Sequence, residues 1–116
     1  DSMMSPAAVV LSEQDMLELA EFYASQSIAR SSYQTDAAIV AEGKRLAETM
    51  QCVACHQPGF KGQAEFPRLA RQKYPYLVKQ LKDYRDGKRV SEIMAPTVKD
   101  LSDEQIKALA RYLTGL

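Results

Sequence analysis

The chain has 116 residues, 46% of them hydrophobic and 26% charged, with 15 basic and 15 acidic side chains and no net charge. That composition fits one compact globular domain and excludes a disordered chain, a coiled coil and a collagen. Two cysteines close at most one disulfide, and no stretch reaches the roughly 20 apolar residues that span a bilayer.

The chain opens on Asp1-Ser2, without the basic flank and apolar run of a secretory signal, so a processed chain or an excised piece is expected. Charge is unevenly spread. Residues 1–43 carry −6, residues 44–90 carry +7 and residues 91–116 carry −1. The middle segment can be a solvated face, or a basic surface that meets an acidic partner. The bases alternate with acids and no nucleic-acid motif is present, so no nucleic-acid partner is expected.

The predicted elements are helices, and no strand pattern occurs. Ser12 is a good N-cap with Asp15 three residues on, and Met16, Leu19, Ala20 and Tyr23 then recur at helical spacing. A second helix starts at Thr35 or Asp36 and puts Ile39, Gly43, Leu46, Ala47 and Met50 on one face. A glycine inside a helix costs up to about 1 kcal/mol relative to alanine. Gly43 is therefore expected to admit close approach of another helix. A third helix has Pro75 near its start, Gly87 just past its end and a stripe of Leu77, Leu81 and Tyr84. A fourth opens on Ser102 with Gln105 and buries Ile106, Leu109, Ala110 and Leu113. Residues 51–73 and 88–100 show no sustained period, and irregular stretches of that length need something to organise them.

Cys52-Val53-Ala54-Cys55-His56 reads C-x-x-C-H. A thioredoxin-like redox pair would sit among strands, and none is predicted. A structural zinc site wants four ligands, and the motif holds both cysteines and the one histidine of the chain. Covalent haem attachment needs only these five positions. Cys52 and Cys55 add to the haem vinyl groups as thioethers and His56 is the axial ligand. A macrocycle also gives the irregular stretches something to pack against. No second histidine exists, so a methionine thioether is the expected sixth ligand. Of Met3, Met4, Met16, Met50 and Met94, the helical Met16 and Met50 read as core filler. Met50 is also too near the attachment site to cross to the other iron face. Met94, in a loop before Ala95-Pro96, is the preferred ligand.

From about Thr35 to Leu116 the chain resembles a class I cytochrome c, most closely the C-terminal domain of the tandem dihaem cytochromes of the c-four kind. The marks are Ala41-Glu42-Gly43, the C-V-A-C-H site, Phe66-Pro67-Arg68-Leu69-Ala70, Asp86-Gly87-Lys88-Arg89, Ile93-Met94-Ala95-Pro96 and Leu101 to Ile106. The resemblance implies an all-α class I cytochrome c fold around one covalent haem c. It implies Cys52 and Cys55 as attachments, His56 and Met94 as axial ligands, and the Pro67 carbonyl as acceptor for the His56 Nδ1 proton. It also implies that Gly43 and Tyr112 lie where the first and last helices of the domain cross. One departure is Arg71, where such domains often have glycine.

The chain repeats itself at an offset of 90 residues: Met94, Pro96, Leu101, Ser102, Leu109 and Ala110 fall on Met4, Pro6, Leu11, Ser12, Leu19 and Ala20. Residues 1–34 therefore read as the tail of a preceding cytochrome c domain carrying one extra helix, and residues 35–116 as a monohaem domain. The expected function is single-electron transfer by a bacterial periplasmic carrier that catalyses no reaction of its own. The alternative is an electron-entry domain or fragment of a larger redox enzyme or dihaem cytochrome. An open-iron sensor or catalyst is a third class, against which Met94 argues. Expected partners are redox proteins, acidic at the docking surface. The apolar stripe of the first helix must be buried, by dimerisation through that helix or by folding back on the haem domain, with dimerisation preferred.

Overall fold

The computed structural model describes residues 3–28 and 36–116. The boundary expected at residues 34 and 35, with Thr35 as a helix start, lies outside the described residues. Among these, the elements in chain order are α1 (Met4–Ala8), α2 (Glu13–Ser25), α3 (Ala37–Thr49), α4 (Val53–His56), a 3₁₀ turn (Pro58–Phe60), α5 (Tyr74–Arg85), α6 (Met94–Val98) and α7 (Asp103–Gly115). The all-α expectation is met in the described residues, which contain no strand.

Three of the four long helices start where a side chain satisfies a first free amide, and α5 has a proline in its first turn. Ser12 and Ser102 both close full capping boxes, with Asp15 and Gln105 as their partners. Asp36 accepts from the Ala38 amide at the head of α3. Pro75 sits in the first turn of α5, where a missing amide proton costs nothing.

The core sits where α3 and α5 pack on α7. Leu46 and Ala47 of α3, Leu77 of α5, Ile106, Leu109, Ala110 and Leu113 of α7, together with Phe60, Ala70, Val98 and Leu101, form one buried cluster. Gly43 makes the α3–α7 crossing possible. A Cβ there would sit 2.1 Å from the Ala108 carbonyl oxygen and 2.9 Å from the Tyr112 Cβ, so the two backbones meet at a distance no side chain allows.

Three expectations are corrected. Ile39 stays exposed, because it lines an open cleft between α3 and α7 while Gly43, Leu46 and Ala47 are the α3 residues that are buried. Met94 is not in open loop but opens the one-turn helix α6, too short to leave a periodic trace. Met16 is not core filler: it is 47% exposed, and α2 buries none of its residues. Among the described residues α2 makes no more than weak contact with the other helices.

Candidate haem site

The end of α3 sets the attachment turn. Gln51 adopts a left-handed φ of 54°, its amide donates to the Glu48 carbonyl (3.1 Å) and the Cys52 amide to that of Ala47 (3.0 Å). This is a Schellman stop with glutamine in the usual glycine place. It throws the chain directly into α4, with Cys52 at its N-cap and Cys55 on the same face three residues on. Both thiols are free and half-buried, and burial pushes the Cys52 thiol up from its ordinary pKa.

His56 closes α4 and is 6% exposed. Its Nδ1 lies 2.8 Å from the Pro67 carbonyl oxygen. A carbonyl can only accept, so Nδ1 carries a proton and donates, which leaves Nε2 as the ring nitrogen that can bind a metal. The expected partner from Pro67 is therefore in place. The intervening loop is folded tightly enough to deliver that carbonyl. The Gly62 amide donates to the His56 carbonyl (3.0 Å), and Gly62 has φ 75° with the Arg68 nitrogen 2.5 Å from where a Cβ would stand. Only glycine fits there.

Arg71 also adopts a left-handed φ, 62°, at the position where the resembling domains often have glycine. Its side chain uses the turn. Nε donates to the Leu116 carbonyl (2.9 Å) and Nη1 to that of Ile28 (3.0 Å), contacts that the sequence pattern did not foretell.

Met94 is half-buried and packs on the same buried core cluster as Cys52, Leu69, Val78 and Leu81 do. Its amide donates to Ser91 Oγ at 3.0 Å. Two clefts, of 470 Å³ between α3 and α7 and of 250 Å³ beside Leu46 and Met50, are lined by none of Cys52, Cys55, His56 and Met94. Among the described residues no three His, Cys, Asp or Glu side chains gather as a metal cluster. The donors present fit a covalent haem: two thiols on one turn, a buried imidazole with one protonated nitrogen held by a carbonyl, and a thioether on an apolar wall.

The family model for cytochrome c matches residues 40–116. The chain belongs to the cytochrome c family. Membership brings one covalently bound haem c to the C-x-x-C-H site. The chain is 36% identical to cytochrome c4 of Pseudomonas aeruginosa, over 91% of this chain and 58% of that protein. It is similar to the structure of cytochrome c4 from Acidithiobacillus ferrooxidans, with a TM-score of 0.82 and 32% identity over 97% of this chain and 70% of that one. It is also 41% identical to a thiosulfate dehydrogenase electron acceptor of Thiomonas intermedia, over 60% of this chain and 33% of that protein. The cytochrome spans only 52% to 58% of the length of the first relatives it matches. Among the described residues no helix is long and apolar enough to cross a membrane.

Proposed function

We propose that this cytochrome carries single electrons between redox proteins in the bacterial periplasm, with Cys52 and Cys55 as thioether anchors and His56 and Met94 as axial ligands. The observation that carries the reading is the His56 Nδ1 to Pro67 carbonyl bond of 2.8 Å. It fixes the ring and its tautomer and makes Nε2 a stronger donor. The bound haem supplies a one-electron iron couple. Met94 offers a soft thioether that favours the reduced state. Neither ligand moves a proton to a substrate, so the residues support transfer without chemistry on a bound molecule.

Docking is where the charge pattern enters. Of the bases in the +7 segment, Lys44, Arg45, Lys79, Lys82 and Arg85 already have acidic partners within the fold. Lys61, Arg68, Arg71 and Lys73 lie on the loop that brings Pro67 to His56, with Glu65 the one acid between them in sequence. In this reading that loop meets an acidic partner. By analogy with the Thiomonas relative, an oxidising enzyme of the dehydrogenase kind is a fitting electron donor.

A second reading is favoured by the repeat and by the fraction of its relatives that the chain spans. Here residues 1–34 are the tail of a preceding cytochrome unit, that unit covers the α2 face, and the whole works as a dihaem carrier or electron-entry module. A homodimer through α2 is the competing cover. Sedimentation equilibrium separates them, since a concentration-dependent dimer supports the second copy and a monomer leaves the preceding unit.

The main reading is tested by redox titration of the holoprotein and by its electron-transfer rate as salt rises. The expected results are one reversible one-electron wave and a rate that falls steeply toward physiological ionic strength. Steady turnover of a small substrate would overturn the carrier reading. A rate independent of salt would remove the acidic partner.

A further inference from the structure

Residues 86–102 leave the end of α5 and return at the start of α7, with Met94 midway between. The two arms of this loop are held differently. The outgoing arm lies back on α5, where the Arg89 amide donates to the Asp83 carbonyl (2.9 Å) and its guanidinium stacks 4.7 Å from the Tyr84 ring centre. The returning arm is held across the mouth of the loop by Arg85. Its Nη1 donates to the Leu101 carbonyl at 3.1 Å and to Asp103 Oδ1 at 2.8 Å, while Lys82 Nζ reaches Asp103 Oδ2 at 2.5 Å.

The helix ends favour this arrangement. Lys82 and Arg85 stand in the last turn of α5, where carbonyl ends attract cations, and Asp103 is the first residue of α7, where free amides attract a carboxylate. Arg85 is half-buried, and one of its acceptors is a main-chain carbonyl of the buried Leu101. Near the apex, Ser91 Oγ accepts from the Met94 amide and Thr97 Oγ1 donates to the Ile93 carbonyl (2.6 Å). Val98, 2% exposed, then seats the turn in the core. The apex is thus internally ordered, and Arg85 joins the loop's two ends. Opening those ends enlarges the set of conformations in which the methionine stands away from its seat.

We propose that Arg85 is a positioning residue for Met94, closing the neck of the 86–102 loop so that the methionine resists displacement by an outside ligand. The inference rests on the reading of Met94 as sixth ligand. Displacement exchanges a thioether donor for another neutral donor and changes no oxidation state.

The test is imidazole titration of the ferric holoprotein, read by loss of the near-infrared band that methionine ligation produces. Arg85→Met is expected to bind imidazole about tenfold more tightly, a shift of about 1.4 kcal/mol. Arg85→Lys, which keeps the charge and can reach one acceptor, recovers part of the resistance. Asp86→Asn removes the charge of the neighbouring Asp86 but keeps an Oδ1 that can accept from Arg85 Nε (2.8 Å), so the two neck bonds of Nη1 stay in place and the affinity is expected to be unchanged. Amide exchange at residues 91–98 rises in Arg85→Met and not in Asp86→Asn. Should Arg85→Met fail to fold, Asp103→Asn weakens the same neck from the opposite side and is expected to shift affinity the same way. An unchanged affinity in the folded neck variant, or an equal rise in Asp86→Asn, overturns the inference. Met94→Ala separates the two claims. If the band survives that substitution, the ligand reading falls and takes the inference with it. If Met94→Ala abolishes the band but the neck variants bind imidazole like wild type, only the inference falls.

Discussion

The α1–α2 segment and the α6–α7 segment are built to one plan 90 residues apart. Both begin with a five-residue helix opened by methionine, Met4–Ala8 and Met94–Val98, and continue into a 13-residue helix, Glu13–Ser25 and Asp103–Gly115. Both long helices start from a serine capping box. Their fates differ. Ile106, Leu109 and Leu113 are 0%, 3% and 4% exposed, while Met16, Leu19 and Tyr23 at the matching positions are 47%, 43% and 69% exposed. The difference lies in what each helix meets. α7 has Gly43 of α3 and Leu77 of α5 against it, whereas α2 has no such neighbours in the described chain. A capped, amphipathic sequence is therefore enough to write a helix but not to bury one.

The largest expected effect breaks the pair at its methionines. Met94→Ala is expected to lower the reduction potential by more than about 60 mV, a decade in a one-electron equilibrium, and to open the iron to small ligands. Met4→Ala, its repeat counterpart, is expected to leave the potential of this haem unchanged. Voltammetry of the two holoproteins decides. The reverse pattern would pass the ligand role from Met94 to Met4.

Next come the leucines. Leu109→Ala empties a buried site on α7 and is expected to cost about 2–5 kcal/mol, as large-to-small changes in packed cores do. Leu19→Ala, at the same place on α2, is expected to stay within about 0.5 kcal/mol. Denaturant unfolding of both measures the gap. Equal losses would show that something covers α2 in solution.

What could be read from the sequence follows the same division between local and non-local causes. The capping serines, Pro75 and Gly87 marked α2, α5 and α7 because each acts within a few residues of itself. The C-x-x-C-H motif named Cys52, Cys55 and His56 for the same reason, since its chemistry is contained in five positions. Gly43 was legible as a crossing because a glycine inside a helix needs a reason. The seat of Met94 in a one-turn helix was not, as five residues carry no period. Nor was the exposure of α2, because burial belongs to the partner and not to the stripe. The reach of Arg71 to Ile28 and Leu116, and of Arg85 to Leu101, joins residues distant in sequence that no local pattern connects.

A smaller effect separates the two caps. Ser102→Ala and Ser12→Ala each remove the acceptor for an N3 amide, a loss of about 1 kcal/mol of helix stability. In α7 the helix is part of the cooperative core, so Ser102→Ala is expected to lower the global unfolding free energy by that amount. In α2 the same loss is expected to show as faster amide exchange over residues 13–25, with the global transition unmoved. A shift of the global transition in Ser12→Ala would place α2 in the same cooperative unit as α7.

The smallest effect is electrostatic and concerns the first turns. Lys82 and then Arg85, by hydrogen bonding its carboxylate, hold Asp103 at a pKa of about 2, below its ordinary 3.8. A depressed carboxylate contributes stability that is fully present above its unfolded pKa and is lost as pH falls through its folded one. The contribution of Asp103 is therefore intact above pH 3.8 and disappears as pH falls to about 2. Asp103→Asn is expected to unfold at lower denaturant than wild type at neutral pH, with the difference shrinking across that window. In α2, Asp15 is also lowered, chiefly by the Ser12 hydroxyl and then by the Ser12 amide. Its partners lie within its own capping box and join no second element, so Asp15→Asn is expected to leave the pH dependence of global unfolding alone. Denaturant midpoints measured down the acid limb for both variants test the contrast. A wild-type and Asp103→Asn difference that persists undiminished to pH 2 would mean the α5–α7 tie draws nothing from the charge of that carboxylate.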